Sequence, residues 1–330
     1  MRRLGGLAVL LVVVLALAGG GLLIYVLDRF EAPGPLRAEA TIMVPRGAGL
    51  QSIAQLLAEQ GIVADATLFA LGVRLEGDAQ ALKAGEYAIA AGSSMAEVAT
   101  VISSGATVVH RITVPEGLTT SEILSLLKDA EALDGSVSGT PPEGVLLPET
   151  YHFHRGDQRA AVLARMGQSM EQTVAEVWAA RAENLPLKSP EEAVILASII
   201  EKETGVDAER ALVAGVFVNR LRKGMPLQSD PTVVYGITEG KAPLGRALTR
   251  KDLATPTPYN TYQIRGLPPG PIANPGRASL EAAVNPAETD YLYFVADGNG
   301  GHAFAKTLSE HNRNVAKWRK HLKSLKKKTD

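Results

Sequence analysis

One glutamate, Glu201, directly follows the apolar run Val194–Ile200, and this position suits it to acid–base chemistry. A carboxyl group at the edge of a dry helix is costly to ionise, so desolvation raises its pKa towards the range of a general acid. The alternative is structural, with Glu201 paired to a cation such as Lys202 or Arg210. Glu203 lies about 200° further round the same helix, so we do not expect the two carboxylates to form an acid–base pair in one site.

The residues around Glu201 predict a helix that is buried on most of its sides. Ser189 is a capping residue, Pro190 suits the first helical position, and Glu192 completes a capping box. Gly205 predicts a left-handed stop. The interior of this segment is apolar almost all the way round, which is typical of a helix in the centre of a domain.

The composition of the 330-residue chain argues against several classes of function. Lys and Arg total 34 and Asp and Glu total 35, so the charge balance gives no indication of nucleic acid as a partner. The absence of cysteine excludes disulfides, thiolate zinc sites, cysteine nucleophiles and a lipoprotein anchor. The length suffices for about two domains. We expect no metal and no cofactor.

The N-terminus predicts a membrane anchor. Residues 1–3 carry two arginines and residues 4–27 carry no charge. At about 1.5 Å per residue this stretch crosses a hydrocarbon core of about 30 Å. Because the positive residues precede the span, we expect a cytoplasmic N-terminus and an exported remainder. A cleaved signal peptide is the alternative, since Ala16–Ala18 resembles a cleavage site, but the apolar run continues past it, which favours a retained anchor.

A small mixed module follows a short linker. Within residues 40–105, Thr41–Val44 is strand-like, Leu50–Leu57 has helical spacing, Thr67–Arg74 predicts a second short helix and Gly85–Ile89 predicts a returning strand. This order resembles a LysM-type glycan-binding module. The alternative is a spacer domain that binds nothing.

A turn-rich region after the central helices carries polar and aromatic residues suited to sugars. Aromatic rings stack on the apolar faces of sugars, and amides hydrogen-bond their hydroxyl groups. Long loops between packed helices are also where binding residues usually lie. The candidates for substrate binding are Gln228, Tyr259, Asn260 and Tyr262. The alternative is a set of rigid turns whose tyrosines serve packing.

Several segments, in matching order and spacing, resemble the MltG (YceG-like) family of endolytic murein transglycosylases. They are LASIIEKET at Leu196–Thr204, VAGVFVNRL at Val213–Leu221, MPLQSDPTVVYG at Met225–Gly236, TPYNTYQIRGLPPGPIANPG at Thr257–Gly276 and YLYFVADGNGGHAF at Tyr291–Phe304. The resemblance implies a bacterial inner-membrane enzyme that faces peptidoglycan and cuts the MurNAc–GlcNAc β-1,4 bond within strands, leaving a 1,6-anhydro end. It implies penicillin-binding synthases as partners. It also implies that the first glutamate of EKET, here Glu201, is catalytic.

The chemistry of such an enzyme needs only one carboxyl group. Most glycoside hydrolases use two carboxylates, whereas a lytic transglycosylase uses the C6 hydroxyl of the substrate as its nucleophile. We therefore expect protonated Glu201 to donate to the glycosidic oxygen and its carboxylate then to accept the C6 hydroxyl proton.

Two other functions stay open at this point. A hydrolytic muramidase needs a second carboxylate, for which Asp230 is the best-placed candidate. A non-catalytic scaffold would use the LysM-like module to hold glycan near a synthase. A serine hydrolase is poorly supported because the sequence has no Gly-x-Ser-x-Gly motif.

We expect an α+β fold with small mixed modules before a mainly helical catalytic region that carries a few strands. The predicted organisation is a cytoplasmic end at 1–3, a transmembrane helix at 4–27, a linker at 28–39, a LysM-like module at 40–105, a connecting αβ region at 106–144 and a catalytic YceG-like domain at 145–330.

Overall fold

The computed structural model describes residues 2–77 and 79–329, and the side chains of residues 9–77 and 79–324. The chain forms two compact units. The first runs to His110 and takes in Phe153–Gly156, and the second contains Arg111–His152 and the chain from Asp157 onward. The fold is mixed and mainly helical, as the sequence predicts.

The first helix, α1 (Arg2–Glu31), is largely exposed along its apolar length. Its segment Val9–Glu31 has a mean hydropathy of 2.7 and is long and apolar enough to cross a membrane. The helix continues into the region predicted as a linker because its last turns pack on the first unit. Val26 and Phe30 are each 1% exposed there. The Phe30 ring lies 6.4 Å from that of Phe69, between ring centroids.

The core of the first unit has the predicted order of strand, two helices and strand. Its two strands pair antiparallel, with Ile42 opposite Tyr87. The inward side chains of the first strand alternate with exposed ones, which is the period expected of a strand with one buried face. The elements are β1 (Ala40–Val44), α2 (Leu50–Glu59), α3 (Ala66–Glu76), β2 (Gly85–Ile89) and α4 (Met95–Ser104).

Short strands and one helix precede the helical part of the second unit. Strand β3 (Val109–Thr113) pairs with β5 (Thr150–His154), and β4 (Leu133–Asp134) pairs in parallel with β6 (Asp157–Gln158). Helix α5 (Thr120–Asp129) begins with a capping box between Thr119 and Glu122.

Helix α7 (Pro190–Glu203) lies at the centre of the second unit, and its residues Ala193–Ile200 are all buried. It packs against four helices, which accounts for the lack of a polar face. The other elements are α6 (Arg159–Ala179), α8 (Asp207–Arg222), α9 (Asp230–Thr238), α10 (Arg250–Ala254), α11 (Arg277–Val284), β7 (Tyr293–Ala296), β8 (His302–Ala305) and α12 (Leu308–Thr329). Strands β7 and β8 pair antiparallel and form a hairpin.

The two ends of α7 differ in part from the prediction. Ser189 accepts a hydrogen bond from the Glu192 backbone N–H, as expected. The Glu192 carboxylate, however, accepts from the backbone N–H of Lys188 at 2.7 Å. At the other end Gly205 does not have a positive φ, so the predicted left-handed stop there is wrong. Thr204 caps the helix in an extended conformation, with φ −142°. The extended Thr204 turns the chain directly into α8, and no reversal through a left-handed residue is needed.

Candidate active site

The last turn of α7 carries Glu201 and Glu203, and their side chains have different neighbours. The side chain of Glu201 is 6% exposed, and its Oε1 lies 4.0 Å from Nη2 of Arg210. Its Oε2 accepts a hydrogen bond from the backbone N–H of Gly276 at 2.9 Å. Glu203 instead accepts a hydrogen bond from the hydroxyl of Ser229. The separation of the two carboxylates agrees with the helical angle between them.

Arg210 joins Glu201 to a cluster of acidic side chains. Its Nη1 donates to Asp207 at 2.6 Å, and its Nη2 lies 3.9 Å from Glu116. Burial raises the pKa of Glu116, the charge of Glu201 raises it further, and Arg210 opposes both effects. Glu116, Asp207 and Arg210 line a cleft of about 860 Å³, but Glu201 is not one of the described residues that line it. The Arg210 contact corresponds to the structural alternative for Glu201.

Glu203 faces a different cavity, called here the Glu203 cleft, with a volume of about 440 Å³. Burial raises the pKa of Glu203 to about 7, and the nearby carboxylate of Asp230 acts in the same direction. The hydrogen bond from Ser229, at 2.5 Å, and the charges of His302 and Arg220 oppose the rise. A carboxyl group with this pKa is substantially protonated near neutral pH, which is the state that a general acid requires.

Two of the predicted sugar-binding residues line the Glu203 cleft together with Asp230. The hydroxyl of Tyr262 donates to Asp230 Oδ1 at 2.7 Å, which holds the ring and the carboxylate against each other. Gln228 has a left-handed φ of 54°, and its side-chain oxygen lies 3.3 Å from Nη1 of Arg220. A non-glycine residue in this conformation costs free energy, and such strain is concentrated at functional sites.

The opposite wall of the Glu203 cleft comes from the β7–β8 hairpin and helix α12. His302 is fixed there by Glu209, which accepts its backbone N–H at 2.9 Å and lies 2.8 Å from its Nδ1. Arg220 stacks over the ring of Tyr293, with 5.2 Å between the guanidinium carbon and the ring centroid. The cleft thus combines one carboxyl group of raised pKa with aromatic surface, amide and cationic groups.

The other two predicted sugar-binding residues lie outside the described lining of this cleft. Asn260 is completely buried, and its amide donates to the carbonyl oxygens of Leu253 and Thr255 at 3.1 and 2.7 Å. Its side-chain oxygen accepts the backbone N–H of Tyr262 at 3.0 Å. Tyr259 packs on Tyr235, with ring centroids 4.7 Å apart. These contacts shape the loop that presents Tyr262.

Glu203, His302 and Arg220 line one cavity, and no sequence pattern predicted that they would lie together. A signal for Glu203 was present, because helical geometry places it on a different face from Glu201. The position of His302 depends on a hairpin that follows α7 by about a hundred residues, and no local pattern predicts that contact.

The chain matches the model of the YceG-like family over residues 42–317. It therefore belongs to the YceG-like family, as the segment resemblance indicated.

Relatives and one solved structure are similar over most of the chain. The "Endolytic murein transglycosylase" of Bacillus subtilis (strain 168) is 34% identical over 86% of this chain and 85% of its own length. The protein with the same name from Streptococcus pneumoniae serotype 2 is 28% identical over 88% of this chain, which spans 61% of that longer protein. A crystal structure of a yceG-like protein from Listeria monocytogenes has a TM-score of 0.51 at 31% identity, over 84% of this chain and 99% of that one.

Proposed function

We propose that this protein is an endolytic murein transglycosylase that cleaves the MurNAc–GlcNAc β-1,4 bond within glycan strands. The names of its relatives support the activity. The observation that carries the proposal is the carboxyl group of Glu203, whose pKa is about 7, in a cleft lined also by Gln228, Asp230 and Tyr262. This is an acid catalyst set beside groups that stack on sugars and hydrogen-bond their hydroxyls.

The reaction requires one proton to leave the enzyme and return. The protonated carboxyl group of Glu203 donates to the glycosidic oxygen as the bond from C1 of MurNAc to that oxygen breaks. The resulting carboxylate accepts the proton of the MurNAc C6 hydroxyl as O6 bonds to C1 and closes the anhydro ring. Water is not consumed, and the intramolecular nucleophile supplies part of the acceleration through proximity. The carboxylate of Asp230 is available to stabilise positive charge at C1.

Glu201, the residue that the segment resemblance indicated, remains the alternative acid. Glu203 is favoured because it lines the cleft, whereas Glu201 contacts Gly276 and Arg210. The pKa of Glu203 is also raised into the range that general acid catalysis needs.

Matched substitutions separate the two glutamates. We expect Glu203→Gln in the full-length protein to lower the rate of anhydro-product formation on uncrosslinked glycan strands by at least about 10³-fold, since loss of a general acid costs 10²–10⁴-fold and here the same group also acts as the base. Glu201→Gln should retain activity within about tenfold, because the Glu201 side chain contacts Arg210 and the Gly276 backbone and is not among the described residues that line the Glu203 cleft. Mass spectrometry identifies the products, and thermal unfolding verifies that both variants fold. An active Glu203→Gln protein would exclude Glu203 as the acid.

A hydrolytic muramidase is the second candidate, because Asp230 shares the cleft with Glu203 and could activate water. Its product carries one more water than the anhydro product. The same mass spectra therefore distinguish the two reactions without further variants.

Several features beyond the catalytic step belong to this proposal. Residues 4–27 form a single-pass inner-membrane anchor, with the N-terminus cytoplasmic and the remainder extracytoplasmic. The strand–helix–helix–strand unit is a LysM-like module that binds glycan, and a penicillin-binding synthase is the partner. A non-catalytic scaffold is the competing function for the whole chain. Glycan binding without turnover in the unaltered protein would favour that scaffold.

A further inference from the structure

A second cavity, called here the Tyr235 cleft, meets the Glu203 cleft at Asp230, which lines both. Its volume is about 510 Å³. Its walls are mainly apolar, with contributions from Pro231, Val234, Tyr235, Pro243, Leu244 and Leu248. The shared residue places the two cavities next to each other.

The walls of the Tyr235 cleft are tightly built. The Tyr235 ring is fixed against Tyr259, and a Cβ added at Gly240 would lie 2.9 Å from the Tyr235 ring. The carbonyl oxygen of Gly240 accepts the hydroxyl of Thr119 at 2.8 Å. Because such contacts hold the walls in place before a ligand binds, binding costs little conformational entropy in ordering the cavity.

Of the two cationic side chains that line this cleft, one is available to bind an anionic ligand. The Arg246 guanidinium is held by Asp252, at 2.6 and 3.0 Å. The Glu122 carboxylate accepts the backbone N–H of Thr119 and caps helix α5. The ammonium group of Lys202 donates to the carbonyl oxygen of Gly117 at 3.0 Å and has no carboxylate partner among the described residues. An ammonium group has three donors, so Lys202 can also bind an anion.

We propose that the Tyr235 cleft binds the peptide stem of the muramyl sugar, while the Glu203 cleft holds the sugars on either side of the bond that is cut. The stem is a short acidic peptide, attached through a lactyl ether, whose small methyl groups suit apolar walls. Lys202 pairs with one of its carboxylates. This inference rests on the proposed function, because only a muramyl substrate places such a peptide beside the scissile bond.

The test compares two substrates that differ only in the peptide. Full-length protein is given uncrosslinked strands with stems, or the same strands after an amidase has removed them. We expect kcat/KM to be at least about tenfold higher with stems, since a charge-assisted contact is lost on denuded strands. Lys202→Gln and Ala242→Trp, the second of which fills the cleft from an exposed position, should reduce this ratio towards one.

Ala247→Trp is the matched control, because Ala247 is equally exposed and lies outside the described lining of the cleft. It should preserve the ratio. A ratio near one in the unaltered protein, or the same ratio in all variants, would overturn the proposal. If no protein cleaves either substrate, the proposed function fails by itself. In that case the stem site is tested by the binding of a soluble muramyl peptide to the Glu203→Gln protein. We expect this binding to be about tenfold weaker when Lys202→Gln is added. Equal binding with and without Lys202→Gln would contradict the stem site.

Discussion

Glu201 and Glu203, which are separated only by Lys202, illustrate how strongly its surroundings control the chemistry of a side chain. Glu201 has a guanidinium and a backbone N–H near its two oxygens. Glu203 has a hydroxyl donor and the carboxylate of Asp230 near it, and burial raises its pKa to about 7. The same functional group thus lies beside a cation and a backbone donor in one case and has a pKa near neutral pH in the other.

The raised pKa of Glu203 predicts a pH dependence of stability that does not depend on any substrate. A carboxyl group with a pKa of about 7 when folded and about 4.5 when unfolded stabilises the fold fully below pH 4.5 and loses that contribution as pH rises through 7. Relative to Glu203→Gln, the unaltered protein should therefore lose about 3 kcal/mol of unfolding free energy between pH 4.5 and pH 8.

Denaturant unfolding followed by tryptophan fluorescence measures this difference. Both tryptophans of the chain, Trp178 and Trp318, belong to the second unit, which contains Glu203. Parallel pH profiles of the unaltered protein and the variant would show that the pKa of Glu203 is not raised.

At the scale of elements, the loop between α10 and α11 depends on one buried amide. Asn260 satisfies the carbonyl oxygens at the end of α10 and the N–H of Tyr262 at the same time. The hydroxyl of Tyr262 in turn reaches Asp230 at the start of α9. The wall of the Glu203 cleft is therefore positioned by hydrogen bonds behind it.

Removing the side-chain amide of Asn260 should lower the stability of the protein much more than it weakens sugar binding. We expect Asn260→Ala to cost about 2–4 kcal/mol, because it leaves buried carbonyl and N–H groups without partners. Thermal unfolding measures the loss, and KM at a temperature where the variant is folded should stay within about threefold. Gln228→Ala is the matched comparison and should raise KM instead. A fully stable Asn260→Ala protein with a large rise in KM would restore Asn260 as a substrate-binding residue.

In the molecule as a whole, helix α1 has one part that suits a membrane and another that packs in the core of the first unit. Its exposed apolar length suits a membrane, while Val26 and Phe30 complete the core of the first unit. Gly72 allows this, since a Cβ there would lie 2.2 Å from the Phe30 ring. The end of the predicted anchor is thus also part of a folded module.

This arrangement predicts where the protein can be shortened. A fragment that begins at residue 38 lacks Val26 and Phe30, and its first unit should lose about 3–5 kcal/mol, the cost of deleting a buried phenylalanine. A fragment that begins at residue 24 should keep that stability. Calorimetry resolves the difference, and Phe30→Ala in the longer fragment should reproduce the loss. Equal melting temperatures for the two fragments would show that α1 contributes nothing to the core.

Much of the fold followed from local patterns. The capping residues and the apolar run of α7 predicted a buried helix with nearly correct limits. The prediction of a left-handed stop at Gly205 was wrong because a glycine after a helix is compatible with such a stop but does not require one. Of the four polar loop residues, Gln228 and Tyr262 line the Glu203 cleft, and their surroundings depend on segments that are distant in the chain.

Residue types and helical geometry were enough to assign the family, the apolar first helix and the angle between Glu201 and Glu203. The folded structure was needed to place Glu203 in its cleft and to show which of the loop residues line that cleft. The reason is physical. A pKa and the accessibility of a side chain are set by atoms packed around it, and those around Glu203 come from loops and a hairpin far along the chain.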